Sequence, residues 1–465
     1  MISPSTTAQA RPAVFRFQNE VLVLVALVAI LGGFLFGYDT AVINGANAFL
    51  TAHFGLNALK QGLAGASAII GCIPGAMVAG FFSDRFGRRK MLFACAILYA
   101  VSAVLSAVPS TFGEFLAARI LSGLAIGVSS MICPVYVAEL APPLWRGRLG
   151  SLFQLGIVSG IFITLFINAR IQGLGDTAWD AATGWRWMLG AEVVPALIFL
   201  VILVPARESP RWLIQVNRED AARRTLDKMG GPAYANEEIE AVRNVLKGEK
   251  GNFIELLSRA RFRRPLIIAV LLMAASQFSG INAIMYYSTN IFIQAGVGVK
   301  DSFAASVDIG LINLLFTFVA IALVDKAGRR PLLLVGLAAQ VAALGCSAWM
   351  FHAHAHGAGL LLAIIAFIAA FAMALGPVPW ILCSEIFPMR IRGRAMSVAT
   401  FTIWASCLVV VLTSPMLNDN PRLGPALTFS MYAICSALAF VFVLAMVPET
   451  RGRTLEEIEM SLGKD

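Results

Sequence analysis

Asp84-Arg85-Phe86-Gly87-Arg88-Arg89 recurs 241 positions later as Asp325-Lys326-Ala327-Gly328-Arg329-Arg330. Each copy stands between two apolar blocks of about the length that crosses a bilayer as a helix, roughly 20 residues. Two more pairs keep nearly the same spacing. Glu139 with Arg146-Gly147-Arg148 recurs as Glu385 with Arg392-Gly393-Arg394, 246 positions on, and Glu208-Ser209-Pro210-Arg211 is echoed by Glu449-Thr450-Arg451 at 241. Three motifs repeated in the same order divide the chain into two parallel halves. That is the plan of a transporter whose halves rock about a site at their interface.

Outward from these motifs the sequence is apolar nearly throughout. Hydrophobic residues make up 58% and charged residues 14% of the 465, with mean hydropathy +0.78, against about 45–50% and about 25% in soluble domains. Apolar blocks fall at 21–43, 62–82, 91–109, 112–138, 149–169, 187–206, 265–293, 303–324, 332–351, 359–384, 395–416 and 425–446. The expectation is an all-α membrane protein of twelve spans. Its parts are a tail (1–20), a six-helix bundle (21–206), a charged helical linker (207–264), a second six-helix bundle (265–446) and a tail (447–465). Small-xxx-small pairs at Gly33/Gly37, Gly71/Gly75, Gly123/Gly127 and Gly156/Gly160 allow close helix approach inside the first bundle.

The net charge of +9 does not describe a nucleic-acid surface, because the cations lie in short clusters between apolar blocks. Thirty of the 36 Lys and Arg fall in the two tails, the linker and the other even-numbered loops; five fall in odd-numbered loops and one, Arg119, within a span. The positive-inside rule places both termini and the linker in the cytoplasm. No short apolar stretch closes on a cleavage site, so the first block reads as a permanent span. The seven cysteines, all inside apolar blocks and without CxxC spacing, read as small core residues.

Five motifs in order carry a family resemblance over essentially the whole chain: the paired Asp-x-x-Gly-Arg-Arg loops, Glu208-Ser-Pro-Arg211-Trp212, Gln277-Phe-Ser-Gly-Ile-Asn282, Gly376-Pro-Val-Pro-Trp380 and Pro448-Glu-Thr-Arg451-Gly. The sequence resembles the sugar porter family of the major facilitator superfamily. The resemblance implies the major facilitator fold, two pseudo-symmetric six-helix bundles. It also implies a proton-coupled symporter of a monosaccharide, a hexose first, in a bacterial inner membrane. Its partners are sugar, protons and lipid; it has no nucleic acid, cofactor or metal, and it works as a monomer.

Ionisable side chains at membrane depth are costly and usually functional. Asp39 and Arg119 are tolerable as a pair, and a proton on Asp39 would release the guanidinium; a static structural ion pair is the plainer alternative. An Asp here, with the Arg of the fourth block, resembles the proton-coupled sugar porters, and Glu192 resembles an acid of the same relatives. Sugar hydroxyls both donate and accept, so their site needs amides and indoles. The resemblance selects Gln154, Gln277, Asn282, Asn313, Trp380 and Trp404, with Tyr286, Gly376 and Phe34 beside them. Ser276, Ala372 and Ile403 stand where relatives carry polar groups, which removes contacts from the second half.

Glu139, Arg146, Asp325, Arg329, Glu385 and Arg392 resemble the family's ion-pair network that clamps the halves together when the cavity faces outward. Pro377 and Pro379 bracket an expected break in the tenth block. Asp308 matches no family position and reads as a solvated acid near the outer end of the eighth block, with a second titrating group as the alternative. His352, His354 and His356 read as a solvated loop rather than a metal site. Alternatives are an uncoupled facilitator, a pentose or inositol carrier, and a nutrient sensor on the same fold. An enzyme is least favoured, because no nucleophile with a base and no nucleotide loop is present.

Overall fold

The computed structural model describes residues 19–453 apart from 143–144, 248–252, 356, 388, 421 and 423. Twelve helices in it have the length and composition to cross a membrane: α1 (Asn19–Phe54), α2 (Ala58–Phe86), α3 (Arg88–Ala107), α4 (Phe112–Leu140), α5 (Arg148–Gln172), α6 (Thr177–Leu203), α7 (Arg261–Gln294), α8 (Val299–Val324), α9 (Arg329–His352), α10 (Ala358–Glu385), α11 (Ile391–Asn418) and α12 (Gly424–Met446). No strand occurs among the described residues. Between α6 and α7 run the linker helices Pro210–Gln215, Glu219–Lys247 and Phe253–Ser258, the second kinked at Gly231.

The glycine pairs explain how the first bundle closes. Gly33 and Gly37 of α1 lie against the backbone of Phe153 and Ile157 in α5, and Gly156 and Gly160 of α5 lie against Ile30 and Phe34 in α1. Gly71 and Gly75 of α2 meet α4 at Gly123 and Gly127 in the same reciprocal way. The four pairs are thus two interlocked interfaces, where any added Cβ would strike backbone.

The repeat is visible at the level of single torsions. Gly87 between α2 and α3 has φ 95° and ψ 160°, and Gly328 between α8 and α9 has φ 94° and ψ 163°. Both sit where L side chains are strained. A Cβ at Gly87 would meet the Glu208 carboxylate, and one at Gly328 that of Glu449. Each glutamate accepts the first N–H groups of the helix that follows: Glu208 from Arg88 and Arg89, Glu449 from Arg329 and Arg330. The two repeated motifs therefore form one device, an anion capping a helix N-terminus.

Three spans are interrupted. α7 breaks at Gly280, which adopts φ 88°. α10 breaks between Met373 and Val378, slightly earlier than expected, with Pro377 at the end of the break and Pro379 in the first turn of the helix that follows. α6 starts at Thr177, ten residues before the expected 187, passes through a π-turn at Asp180–Gly184 and breaks again between Gly190 and Val193. The apolar run alone concealed this polar first part. Of the cysteines, Cys346 is exposed on α9 and Cys435 is half-buried, so the core reading holds for the other five only.

Candidate functional site

The N-terminal half buries charge. Arg119 Nη2 stands 2.5 Å from Asp39 Oδ1, and both side chains are at most 1% exposed. The same Nη2 also donates to the Asp39 carbonyl oxygen at 3.1 Å. Glu192, in the α6 break and 1% exposed, is close enough for its charge to act on both Asp39 and Arg119. One buried guanidinium thus serves two buried carboxyls.

The C-terminal half presents amides and rings. The break at Gly280 lets Gln277 and Asn282 face each other: Asn282 Nδ2 donates to Gln277 Oε1 at 2.5 Å and to Cys407 Sγ at 3.1 Å. Gln277 Nε2 donates to Ser276 Oγ at 3.1 Å. Tyr286 and Asn313 are buried, Trp404 is 9% exposed and Trp380 is 36% exposed, one turn beyond Gly376 in the α10 break. Gln154 is half-buried on α5.

Phe34 has its backbone against Gly160 of α5 and its ring beside Tyr38. The ring that meets the opposite half is Phe36, edge-on to Trp404 at 5.7 Å. Helical spacing holds the clue, since Phe36 is three residues from Asp39 and shares its face, while Phe34 is turned about 140° away. Cys407 was likewise hidden, because a thiol inside an apolar block carries no pattern. Asp308 is exposed on α8. His352 ends α9, His354 lies in the turn after it, and His356 lies outside the described residues.

The halves meet on the side away from the linker. Asn44 of α1 donates to Met285 O and Ser288 Oγ, each at 2.7 Å, and its Oδ1 accepts from Thr289 Oγ1 at 2.5 Å and Thr289 N at 3.3 Å. Ser306 of α8 bonds Ser288 and Thr289 at 2.9 Å. Phe49 stacks on Phe303, and Gly62 of α2 lies against Leu412 of α11. This polar seam joins α1, α7 and α8 across the two halves.

On the linker side the clasps between described residues stay within their own halves. Arg88 pairs with Glu139 at 2.9 Å and Asp84 at 3.1 Å; Arg329 pairs with Glu385 at 2.9 Å, and Thr450 Oγ1 donates to the same Glu385. Arg392 Nε donates to Phe387 O. The side chains of Arg146 and Asp325 lie outside the described residues. The expected clamp between halves is thus not formed by Arg88–Glu139 or Arg329–Glu385 in this conformer. Burial raises the Glu208 carboxyl above the ordinary glutamate range despite the N–H groups of Ser209, Arg89 and Arg88. Burial also acts on Glu449, but there the N–H groups of Arg451, Arg329, Arg330 and Thr450 prevail and hold it below that range.

These features, two bundles each ending in the same capping glutamate, match a known family. Residues 25–462 fit the model of the family described as Sugar (and other) transporter. The chain belongs to this family. It is 39% identical to the arabinose-proton symporter of Bacillus subtilis, over 94% of both chains, and 38% identical to a glucose transport protein of Synechocystis, over 98% of this chain and 100% of that one. A partially occluded, inward-open structure of the xylose transporter XylE from E. coli superposes with TM-score 0.83 at 34% identity, covering 94% of this chain and 100% of that one. As a sugar porter of the major facilitator superfamily, the chain is a twelve-span membrane transporter and not an enzyme.

Proposed function

We propose that this chain carries a monosaccharide and a proton together across a bacterial inner membrane by alternating access, as a monomer with both termini and the linker in the cytoplasm. The observation that carries the reading is the buried Asp39–Arg119 pair with Glu192 as a second carboxyl, in the half opposite the facing amides Gln277 and Asn282. A proton on Asp39 weakens its hold on Arg119. Sugar hydroxyls then bind between the halves at Gln154, Gln277, Asn282, Asn313 and Trp380, with the ring faces of Phe36, Tyr286 and Trp404 excluding water. In this orientation the Asn44 seam is the closed outer gate. The clasp residues Glu139, Arg146, Asp325, Arg329, Glu385 and Arg392 re-pair across the halves when the cavity opens outward.

Relatives named for arabinose, xylose and glucose transport support sugar as the substrate class. Ser276, Ala372 and Ile403 remove polar contacts that relatives have in the second half, so the hydroxyl pattern read there differs from theirs; hexoses are tested first and pentoses second. The measurement is external pH in lightly buffered, de-energised proteoliposomes while hexoses, pentoses and inositols are added singly. Alkalinisation with one sugar is expected. Exchange of labelled sugar without alkalinisation would make the protein a facilitator, with Asp39–Arg119 a structural pair.

A further inference from the structure

Proton coupling raises a question of route: Asp39 and Glu192 are sealed from the cleft as completely as from lipid, with at most 1% of either exposed. A path exists on α3. Tyr99, Ser102 and Ser106 lie at spacings of three and four residues, hence on one helix face, and are 0%, 0% and 2% exposed. From Tyr99 to Ser106 that face rises about 10 Å toward the end of α3 remote from the linker.

The inner end of this face lies within electrostatic reach of the carboxyls, and its outer end adjoins the α6 break that carries Glu192. At the inner end, Asp39 and Glu192 are among the charges that act on the Tyr99 hydroxyl, which shares a 2.8 Å hydrogen bond with Ser129 of α4. At the outer end, Gly190 of α6 lies against Ala107, next to Ser106, and Glu192 follows two residues later. Arg186 donates to the carbonyls of Ala107 and Pro109 and covers the mouth. Ser102 is occupied in a backbone bond to Tyr99 O. Ser106 Oγ, Glu192 Oε1 and the Tyr38 hydroxyl, all buried, have no hydrogen-bond partner among the described residues. Buried polar atoms left this way are satisfied by internal water, and a hydroxyl, which donates and accepts at once, passes a proton along such a file.

We propose that protons reach the site from the side away from the linker through the interior of the N-terminal bundle, past Ser106 and along the hydroxyl face of α3 to Glu192 and then Asp39, separately from the sugar cleft. The charged and titratable groups around the route are Tyr38 and Asp39 on α1, Cys95 and Tyr99 on α3, Arg119 and Cys133 on α4, and Arg186 and Glu192 on α6. The inference rests on the proton-coupled reading and deepens it. It makes Glu192 the first acceptor and Asp39 the second, and it lets protons load while sugar occupies the cleft.

The test uses proteoliposomes and whichever sugar gives alkalinisation. Ser106→Leu fills the mouth, Ser106→Ala removes the hydroxyl, and Ser106→Thr keeps it. Proton-driven uptake at neutral pH is expected to fall at least tenfold in Ser106→Leu and severalfold in Ser106→Ala, with a larger solvent deuterium effect in the latter, and to recover in Ser106→Thr. Sugar counterflow at saturating acidity needs no proton turnover and stays within twofold in Ser106→Ala. Unchanged coupled uptake in Ser106→Leu would overturn the route, as would equal losses of uptake and counterflow in Ser106→Ala. Wild-type exchange without any proton movement would instead defeat the coupling reading beneath it.

Discussion

Position 39 and position 280 are related by the same 241-residue repeat that pairs Gly87 with Gly328, yet the two halves use them in opposite ways. In the N-terminal half the position is Asp39, a buried carboxylate on a continuous helix, held by Arg119. In the C-terminal half it is Gly280, whose left-handed torsion breaks α7. Phe36 corresponds to Gln277 by the same count: one half offers a ring where the other offers an amide. The repeat thus carries a buried ion pair in one half and, through a single left-handed glycine, two facing amides in the other, which is the division the proposed symport uses. Separating them keeps a buried charge away from the amides whose hydrogen bonds it would otherwise compete for.

The largest effect should come from breaking the charged half. In Asp39→Asn the amide cannot cycle a proton, so uphill accumulation is expected to vanish while sugar counterflow is retained within about threefold. Accumulation by this variant would assign coupling elsewhere. Next comes the seam that joins the halves. Asn44→Val removes four hydrogen bonds and strands the Thr289 donors; a buried polar group left unsatisfied costs about 1–3 kcal/mol, about tenfold to a hundredfold in the gate equilibrium. Thiol accessibility of a cysteine placed at the far end of α7 should rise accordingly. A smaller effect belongs to the amide half. Asn282→Ala loses one sugar contact worth about 0.5–1.5 kcal/mol, so KM rises about twofold to tenfold while the proton-to-sugar ratio is kept. A changed ratio would show that the halves are not divided as described.

The sequence disclosed the scaffold well, because lipid imposes length and apolarity on every span, and the glycine pairs marked helices that pack closely, although which helix meets which came only with the structure. The charged half was legible for the same reason: an Asp or Arg within an apolar block stands out. What stayed hidden depended on direction or on partners across the repeat. Asn44 looks like any polar residue in α1 until Ser288, Thr289 and Ser306 surround it. Phe36 and Phe34 differ only in which way they point. The hydroxyl face of α3 is three small residues whose meaning comes from Glu192, on another helix. The first part of α6 was missed because its polar turn interrupts the apolar run.

The finest comparison is between the two capping glutamates, equivalent in the repeat but shifted in opposite directions. Glu449 is held below the ordinary value of 4.5, so the unfolded chain binds its proton more readily. The ionised Glu449 therefore contributes stability above about pH 4.5 that is lost as pH falls through its lowered pKa. Glu208 is raised, so its protonated form is the one the fold favours; that contribution is complete below 4.5 and is lost as pH rises through its folded pKa. Glutamine keeps a carbonyl to accept the helix N–H groups and removes only the charge. Glu449→Gln is accordingly expected to lower Tm at pH 7 and to have no effect at a pH below the lowered pKa. Glu208→Gln should leave Tm at pH 7 unchanged or slightly higher. Detergent-solubilised protein followed by tryptophan fluorescence at the two pH values reads both. Equal losses in the two variants would mean that burial around Glu208 does not outweigh its N–H donors, and that the clasps are alike in energy as well as in backbone.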